Sequence, residues 1–339
     1  MELKAIRLAP EWEQAALDFL KEQTAEHPEL ADAALHKWQR ADRFVVIHEN
    51  RVVGYVGQIP QEFHGADRRL FKFGFGTALQ PDMTHGDEIR KASGRALLHV
   101  LENNDPWKFA GAGMIPSVIP VYERRGHTIK RNDVRMYARL FRPGRVLQYF
   151  QSKATWSHWR RGALIALPIH TANLVMRLRT GYRNIETIES FRDSWDSIWE
   201  KYLSEQYELF GVRNAGYLNH KLAQPKREYC SAVHKSGDGT VDGYIVFRIA
   251  RHPKGVLNLL KICDVVGSSE AKLELISFAN SRAAGENLDG VTAMSSQRDQ
   301  RLFRRAGLFV ARPYSILLPK GVDNEVHVSF FDSDLDNLW

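Results

Sequence analysis

The chain has 339 residues, 44% of them apolar and 26% charged, a soluble globular balance with room for two domains of ordinary size. Two cysteines, Cys230 and Cys263, exclude a disulfide scaffold, and no apolar run reaches the roughly 18–20 residues that span a bilayer. The net charge is +7, and eight Lys or Arg fall between Arg142 and Ile185, where there is no acid; taking these eight away leaves the rest of the chain at −1. The basic character therefore belongs to one connecting segment. A nucleic-acid-binding domain would carry it on the folded body, so no nucleic-acid partner is expected. Glu2, Glu11 and Glu13 do not fit a signal peptide, and a cytoplasmic location is the expectation.

Taken in order, Pro10 to Thr24 places Trp12, Ala15, Ala16, Phe19 and Leu20 on one helical face. Asp32 to Trp38 reads as a second short helix with Asp32 as N-cap. Arg43 to His48 is a strand, Glu49-Asn50-Arg51 a tight turn, and Val52 to Ile59 the returning strand. Leu70 to Leu79 is a strand broken by Gly74 and Gly76 and stopped by Pro81. Asp82 to Ala92 reads as a polar loop, and a helix is expected from about Ser93, with Ala96, Leu97, Val100 and Leu101 on its apolar face. A strand from Phe109 to Met114, a helix starting at Pro116-Ser117 and running through Tyr122, and a strand from Val134 to Leu140 complete the first half.

The second half repeats that order. Helices are expected at Phe191 to Tyr207 and Arg213 to Leu222, and strands at Glu228 to His234, Val241 to Ala250 and Val256 to Val266. A helix over Glu270 to Ala284, a strand over Gly290 to Met294, a helix over Gln297 to Ala306 and a strand over Leu308 to Leu318 follow. Gly126 and Gly307 both end the helix before the last strand, 181 positions apart, and that offset sets Phe303 where the first half has Tyr122. An internal duplication with a chemical difference at this position is the reading. The expected fold is α/β: two similar units, 1–141 and 186–339, each a mixed, mostly antiparallel sheet flanked by helices, joined by the basic segment 142–185.

The run Val121-Tyr122-Glu123-Arg124-Arg125-Gly126-His127, between two strands, resembles the signature of the GNAT superfamily of acyl-CoA N-acyltransferases. Val53-Gly54-Tyr55-Val56-Gly57 resembles the family's V-G-x-x-G, and Arg213 to Lys221 resembles its R-x-x-x-Y-L-x-W-R helix, with His220 for Trp and Lys221 for Arg. The whole chain is thus similar to tandem GNAT proteins of bacterial polysaccharide and natural-product acylation. The resemblance implies an acyl-CoA donor, acetyl-CoA by default, and an amine acceptor such as an amino sugar or a saccharide precursor. It implies Tyr122 as the general acid that protonates the leaving thiolate, and a backbone N–H near Ala78 or Leu79 on the thioester oxygen. A β-bulge should splay two strands for the pantetheine, and Gly74 or Gly76 suits it. The family's phosphate loop falls at Lys91-Ala92-Ser93-Gly94-Arg95-Ala96, where a helix N-terminus would hold the pyrophosphate.

The base is less determined. Glu62, His64 and His85 are candidates, and Glu62 is the one favoured. The second half has Gly267-Ser268-Ser269-Glu270 in place of the phosphate loop, the poorer CoA site. No two histidines are closer than His27 and His36, so no metal site is expected. In the connector, the stretch from Trp156 to Arg179 suits peripheral contact with an anionic membrane face, a site for an acyl-carrier protein, or an interdomain helix. Two other functions stay open: a Fem-like aminoacyl-tRNA-dependent transferase, and a non-catalytic pair of GNAT units that binds ligand. The sequence does not determine the oligomeric state.

Overall fold

The structure is a computed structural model, which describes residues 2–25, 28–113, 118–142, 145, 182, 184–251 and 257–332. Most of the basic connector and the start of the helix expected at Pro116-Ser117 lie outside the described residues.

The first half begins with β1 (Ala5–Arg7) and α1 (Glu13–Gln23), whose Ala16, Phe19 and Leu20 are buried as the periodicity requires. α2 (Ala33–Trp38) is capped by Asp32, whose carboxylate accepts from the N–H groups of Ala34 and Leu35. β2 (Asp42–His48) and β3 (Arg51–Gly65) form a hairpin through Glu49 and Asn50, both at positive φ. β3 runs six residues past its expected end and takes Glu62 and His64 into the strand. β4 (Leu70–Pro81), α3 (Asp87–Asn103), β5 (Lys108–Ala112), α4 (Ile119–Arg124) and β6 (Thr128–Leu140) follow.

The second half has β7 (Ile185–Ile188), α5 (Asp196–Ser204), β8 (Leu209–Gly211), α6 (Ala215–Leu222), β9 (Tyr229–Lys235), β10 (Val241–Arg251) and β11 (Asn258–Gly267). α7 (Ser269–Gly285), β12 (Gly290–Ser296), α8 (Gln300–Arg305), β13 (Phe309–Leu318) and β14 (Val326–His327) complete it. Arg213 is not helical as expected: Asn214 caps α6, and Arg213 turns into the core before it. Cys230 on β9 and Cys263 on β11 are not joined in a disulfide.

Twelve strands form one mixed, mostly antiparallel sheet in the order β1-β2-β3-β4-β5-β13-β6-β12-β11-β10-β9-β7, and β8 and β14 branch from β3. The last strand of each half is exchanged. β13 pairs with β5 of the first half, and β6 pairs with β12 of the second, while β6 and β13 pair with each other at the centre. α3 covers one face of the first half, its Leu97 packing with Phe44, Val53 and Phe109; α1 covers the other over Val45 and Tyr55. α7 packs on the second half over Ile245, Leu260 and Ile262, with α5 and α6 on the opposite face.

The offset of 181 holds at the level of single hydrogen bonds. Gly126 (φ +84°) donates to Glu123 and His127 to Tyr122; Gly307 (φ +81°) donates to Arg304 and Leu308 to Phe303. Both helices thus end in the same left-handed glycine turn.

Candidate acyl-transfer site

β4 and β5 are parallel neighbours only over Phe73–Lys108, Gly74–Phe109 and Phe75–Ala110. Beyond that point β4 continues to Pro81, while Gly111 and Ala112 of β5 turn to Leu317 and Ile316 of β13. The sheet opens between them. A bulge on β4 accompanies the opening: Gln80 faces Tyr55 and Thr77 faces Gly57, so Ala78 and Leu79 stand opposite Val56 alone. Ala78 takes φ +48°, an uncommon conformation for a residue with a side chain. The distortion therefore lies at Ala78 and not at Gly74 or Gly76. Those two glycines serve close packing within an unbroken strand: a Cβ at Gly74 would lie 2.2 Å from the Gln58 amide nitrogen, and one at Gly76 2.9 Å from the Phe109 ring.

α4 brings Tyr122 to this region. It is buried in one cluster with Phe109, Ala96 and Leu317, against which Leu79 packs. Burial, with the Glu102 charge adding to it, pushes the phenol up to about 12, so the hydroxyl keeps its proton at neutral pH. Tyr122 stands at right angles to His127 (ring centres 5.9 Å apart, 87°) and beside Phe109 (5.7 Å). Behind it, Glu102 accepts from Arg125 Nε (2.7 Å) and Nη2 (2.5 Å) and contacts His127 Nε2 (2.8 Å). Burial opposes ionisation of Glu102, but the hydrogen bonds from Arg125 and His127 win and hold it down to about 2. Neither Glu102 nor this use of Arg125 and His127 was foreseen from sequence, because Glu102 lies 23 positions from Arg125 and on another helix.

α3 starts at Asp87, not near Ser93, so Lys91 to Ala96 lie in its second and third turns. Interior N–H groups belong to the helical ladder, and Ala92, Ser93 and Ala96 are buried. The N-terminus of α3 is therefore the turn from Asp87, after Gly86 at φ +89°, and its first ladder bond runs from the Arg90 N–H to the Gly86 carbonyl (3.1 Å). The preceding turn is held by buried Asp82, which accepts from the N–H groups of Thr84 (2.7 Å) and His85 (3.2 Å) and contacts the His85 ring; Arg51 also contacts that ring. Lys91 is exposed and 3.7 Å from Asp87, and Arg95 is exposed. Gly94 faces the end of β4, where an added Cβ would meet only Pro81, at 3.9 Å.

Glu62 stands exposed on β3 opposite Lys72, seven positions along β4 from Leu79. At about 3.3 Å per residue that is roughly 23 Å from the bulge. The structure brings Tyr122, Leu79 and Ala96 together and leaves Glu62 apart from the bulge. No cluster of metal-ligating side chains occurs among the described residues.

The second half opens in the same way, with β11 and β12 paired only from Leu259–Gly290 to Ile262–Ala293 and one extra residue on β11 beside Phe247. There the opening is tied shut. Lys272 of α7 reaches Asp299, just after β12, at 3.1 Å, and Asp299 also accepts from Tyr207 (2.7 Å) and Ser295 (2.5 Å). Burial works against the Asp299 charge, yet Lys272 and these donors hold its carboxyl below the usual range. On the first-half side, Lys272 corresponds to Lys91 by the offset of 181 and to Arg90 when the helix starts are aligned, both paired with Asp87 on their own helix, and Asp299 corresponds by the offset to Val118. Phe303 stands at the position of Tyr122, stacked on Tyr137 at 4.4 Å.

No protein-family profile matches the chain, and no curated protein matches it in sequence. Solved structures do share its fold. Saccharomyces cerevisiae N-myristoyltransferase with bound myristoyl-CoA aligns over 94% of this chain and 79% of its own, with TM-score 0.62 and 12% identity. A conserved Enterococcus faecalis V583 protein, described as a probable N-acyltransferase, aligns over 94% and 72%, with TM-score 0.60 and 10% identity. A GCN5-related N-acetyltransferase from Anabaena variabilis aligns over 93% and 72%, with TM-score 0.57 and 14% identity. The chain therefore has the mixed α/β fold of these N-acyltransferase structures.

Proposed function

We propose that the protein transfers an acyl group from acyl-CoA to an amine, and that the first half holds the donor. The observation that carries this reading is an asymmetry between two copies of one architecture. The first half keeps an open, bulged strand pair beside Tyr122; the second ties the equivalent opening shut with Lys272, Asp299 and Tyr207. The fold shared with acyl-CoA-binding N-myristoyltransferase supports the same assignment.

The residues suited to the donor are the β4 backbone from Gly76 to Leu79 for the acyl end and the positive end of the α3 dipole, at Gly86 and Asp87, for the phosphates, with Lys91 nearby. Asp87 and Glu88 oppose an anion there, so the cations Arg51 and Lys91 have to outweigh them. Bound acyl-CoA supplies the activated thioester. Tyr122 holds a proton at its hydroxyl, available to a leaving thiolate, in a site that excludes water. The acceptor we favour is an amino sugar or saccharide precursor, on the sequence resemblance to tandem GNAT proteins; acetyl-CoA is the first donor to try, and myristoyl-CoA the long-chain comparison. Glu62 is not carried forward as the base, given its separation from the bulge.

Thiol release from acyl-CoAs of increasing chain length, over a panel of amino sugars and other amines, tests the reading. Tyr122→Phe should lower kcat about a hundredfold with little change in donor KM. A Tyr122→Phe protein as active as wild type, or no turnover with any pair, would contradict it.

A further inference from the structure

Tyr122 is backed by three polar groups from separate places in the chain. Glu102 lies in the last turn of α3, Arg125 follows α4, and His127 precedes β6. They form one partly buried constellation: Glu102 accepts from Arg125 Nε and Nη2 and touches His127 Nε2 at 2.8 Å. His127 is 8% exposed, and its Nδ1 is buried with no hydrogen-bond partner. Its ring stands perpendicular to both Tyr122 and Phe109, 5.9 and 5.7 Å away.

The second half shows whether the fold itself asks for these groups. α3 and α7 are both 17 residues long, and aligning Asp87 with Ser269 sets Glu102 against Ala284; the offset of 181 sets it against Ala283. Arg125 corresponds to Ala306, His127 to Leu308 and Tyr122 to Phe303. All of these are buried apolar residues, in a turn with the same backbone hydrogen bonds. One copy of the architecture thus builds the same corner from alanine, leucine and phenylalanine. The other sets a buried imidazole and a largely buried carboxylate there, with a half-buried guanidinium beside them and one ring nitrogen unsatisfied. Burying such groups is unfavourable unless they are paired, and replacing them by apolar residues is often neutral for stability or better. Packing does not explain their presence beside Tyr122.

We propose that His127, oriented by Glu102 and braced by Arg125, is a positioning residue that fixes the Tyr122 ring beside the β4–β5 opening. The inference rests on Tyr122 as the proton donor. Glu102 acts through its hydrogen bond to His127 and through its charge, which favours the protonated phenol. Among the described residues, Arg125 pulls in the opposite direction.

The second half supplies the test. In the full chain, the triple variant Glu102→Ala, Arg125→Ala, His127→Leu installs the apolar corner that already exists in this protein. It should fold, with a melting temperature close to wild type, and lose about tenfold in kcat at nearly constant KM, as misplacement of a reacting group does. The isosteric Glu102→Gln variant covers the case in which the triple variant does not fold. It should lower kcat and move the alkaline limb of the pH–rate profile to lower pH, since removing the carboxylate charge makes the phenol easier to ionise. Wild-type kcat and an unmoved alkaline limb in Glu102→Gln would overturn the inference. Tyr122→Phe separates the two levels: if it is impaired while Glu102→Gln is not, only the positioning role fails; if it is fully active, both fail.

Discussion

At the scale of the single residue, Arg213 ties distant parts of the chain together. It is 1% exposed and bonds Asp264 at 2.9 Å and Asp332 at 2.5 Å, while Gln61 of β3 donates to Asp332 and Tyr244 to Asp264 at 3.0 Å. The knot joins the first half, the second-half sheet and the C-terminal turn, and Gly211 leaves room for it, since a Cβ there would lie 2.5 Å from Arg213. Arg213→Ala would strand two buried carboxylates and should cost about 3–5 kcal/mol, measurable by urea unfolding. A cost below about 1 kcal/mol would mean the carboxylates find water or protons instead. Nothing in the sequence announces this knot, because its members lie 51 and 119 positions from Arg213. The turn after Tyr122 was legible for the opposite reason: it is closed within five residues, and Gly126 marks it.

At the level of elements, the helices and strands follow the apolar periodicity closely, and the misreadings have physical causes. The start of α3 was hidden because its first turn is Asp87 and Glu88, and because its inward residues Ala92 and Ser93 are small. Ile89, Ala92, Ser93, Ala96 and Leu97 do keep helical spacing, and that was the available signal. The bulge was expected at a glycine but falls on Ala78, since tight packing and positive φ are separate demands. At Gly74 and Gly76 a neighbouring side chain excludes a Cβ; at Ala78 the backbone is left-handed. Ala78→Gly should therefore be tolerated, and Ala78→Val should destabilise by about 1–2 kcal/mol in urea unfolding, because a β-branched residue resists this conformation. If valine were neutral, the bulge would not be a fixed feature of β4.

For the molecule as a whole, the turn shared by Gly126 and Gly307 was legible from one offset, but the exchange of β6 and β13 was not. An alternating strand pattern says which face is buried and not which neighbour it joins. The exchange makes the two halves depend on each other: without β13, β5 loses a neighbour, and without β6, β12 does. Thermal or urea unfolding followed by tryptophan fluorescence and by far-UV circular dichroism should accordingly show one coincident transition. Two separated transitions would mean that the halves fold independently and that the central pairing contributes little. The same arrangement leaves one architecture with two outcomes, an opening beside Tyr122 and a closed counterpart beside Phe303.

The most direct test of that asymmetry is calorimetric titration with acetyl-CoA of wild type, Tyr122→Phe and Gly94→Glu. The glutamate has room, since only Pro81 lies near, and it sets a carboxylate between α3 and the end of β4, against an anionic ligand. One acetyl-CoA per chain should bind to wild type and to Tyr122→Phe alike, and at least tenfold more weakly to a folded Gly94→Glu. Absence of binding to wild type, or equal affinity in Gly94→Glu, would contradict a donor site in the first half.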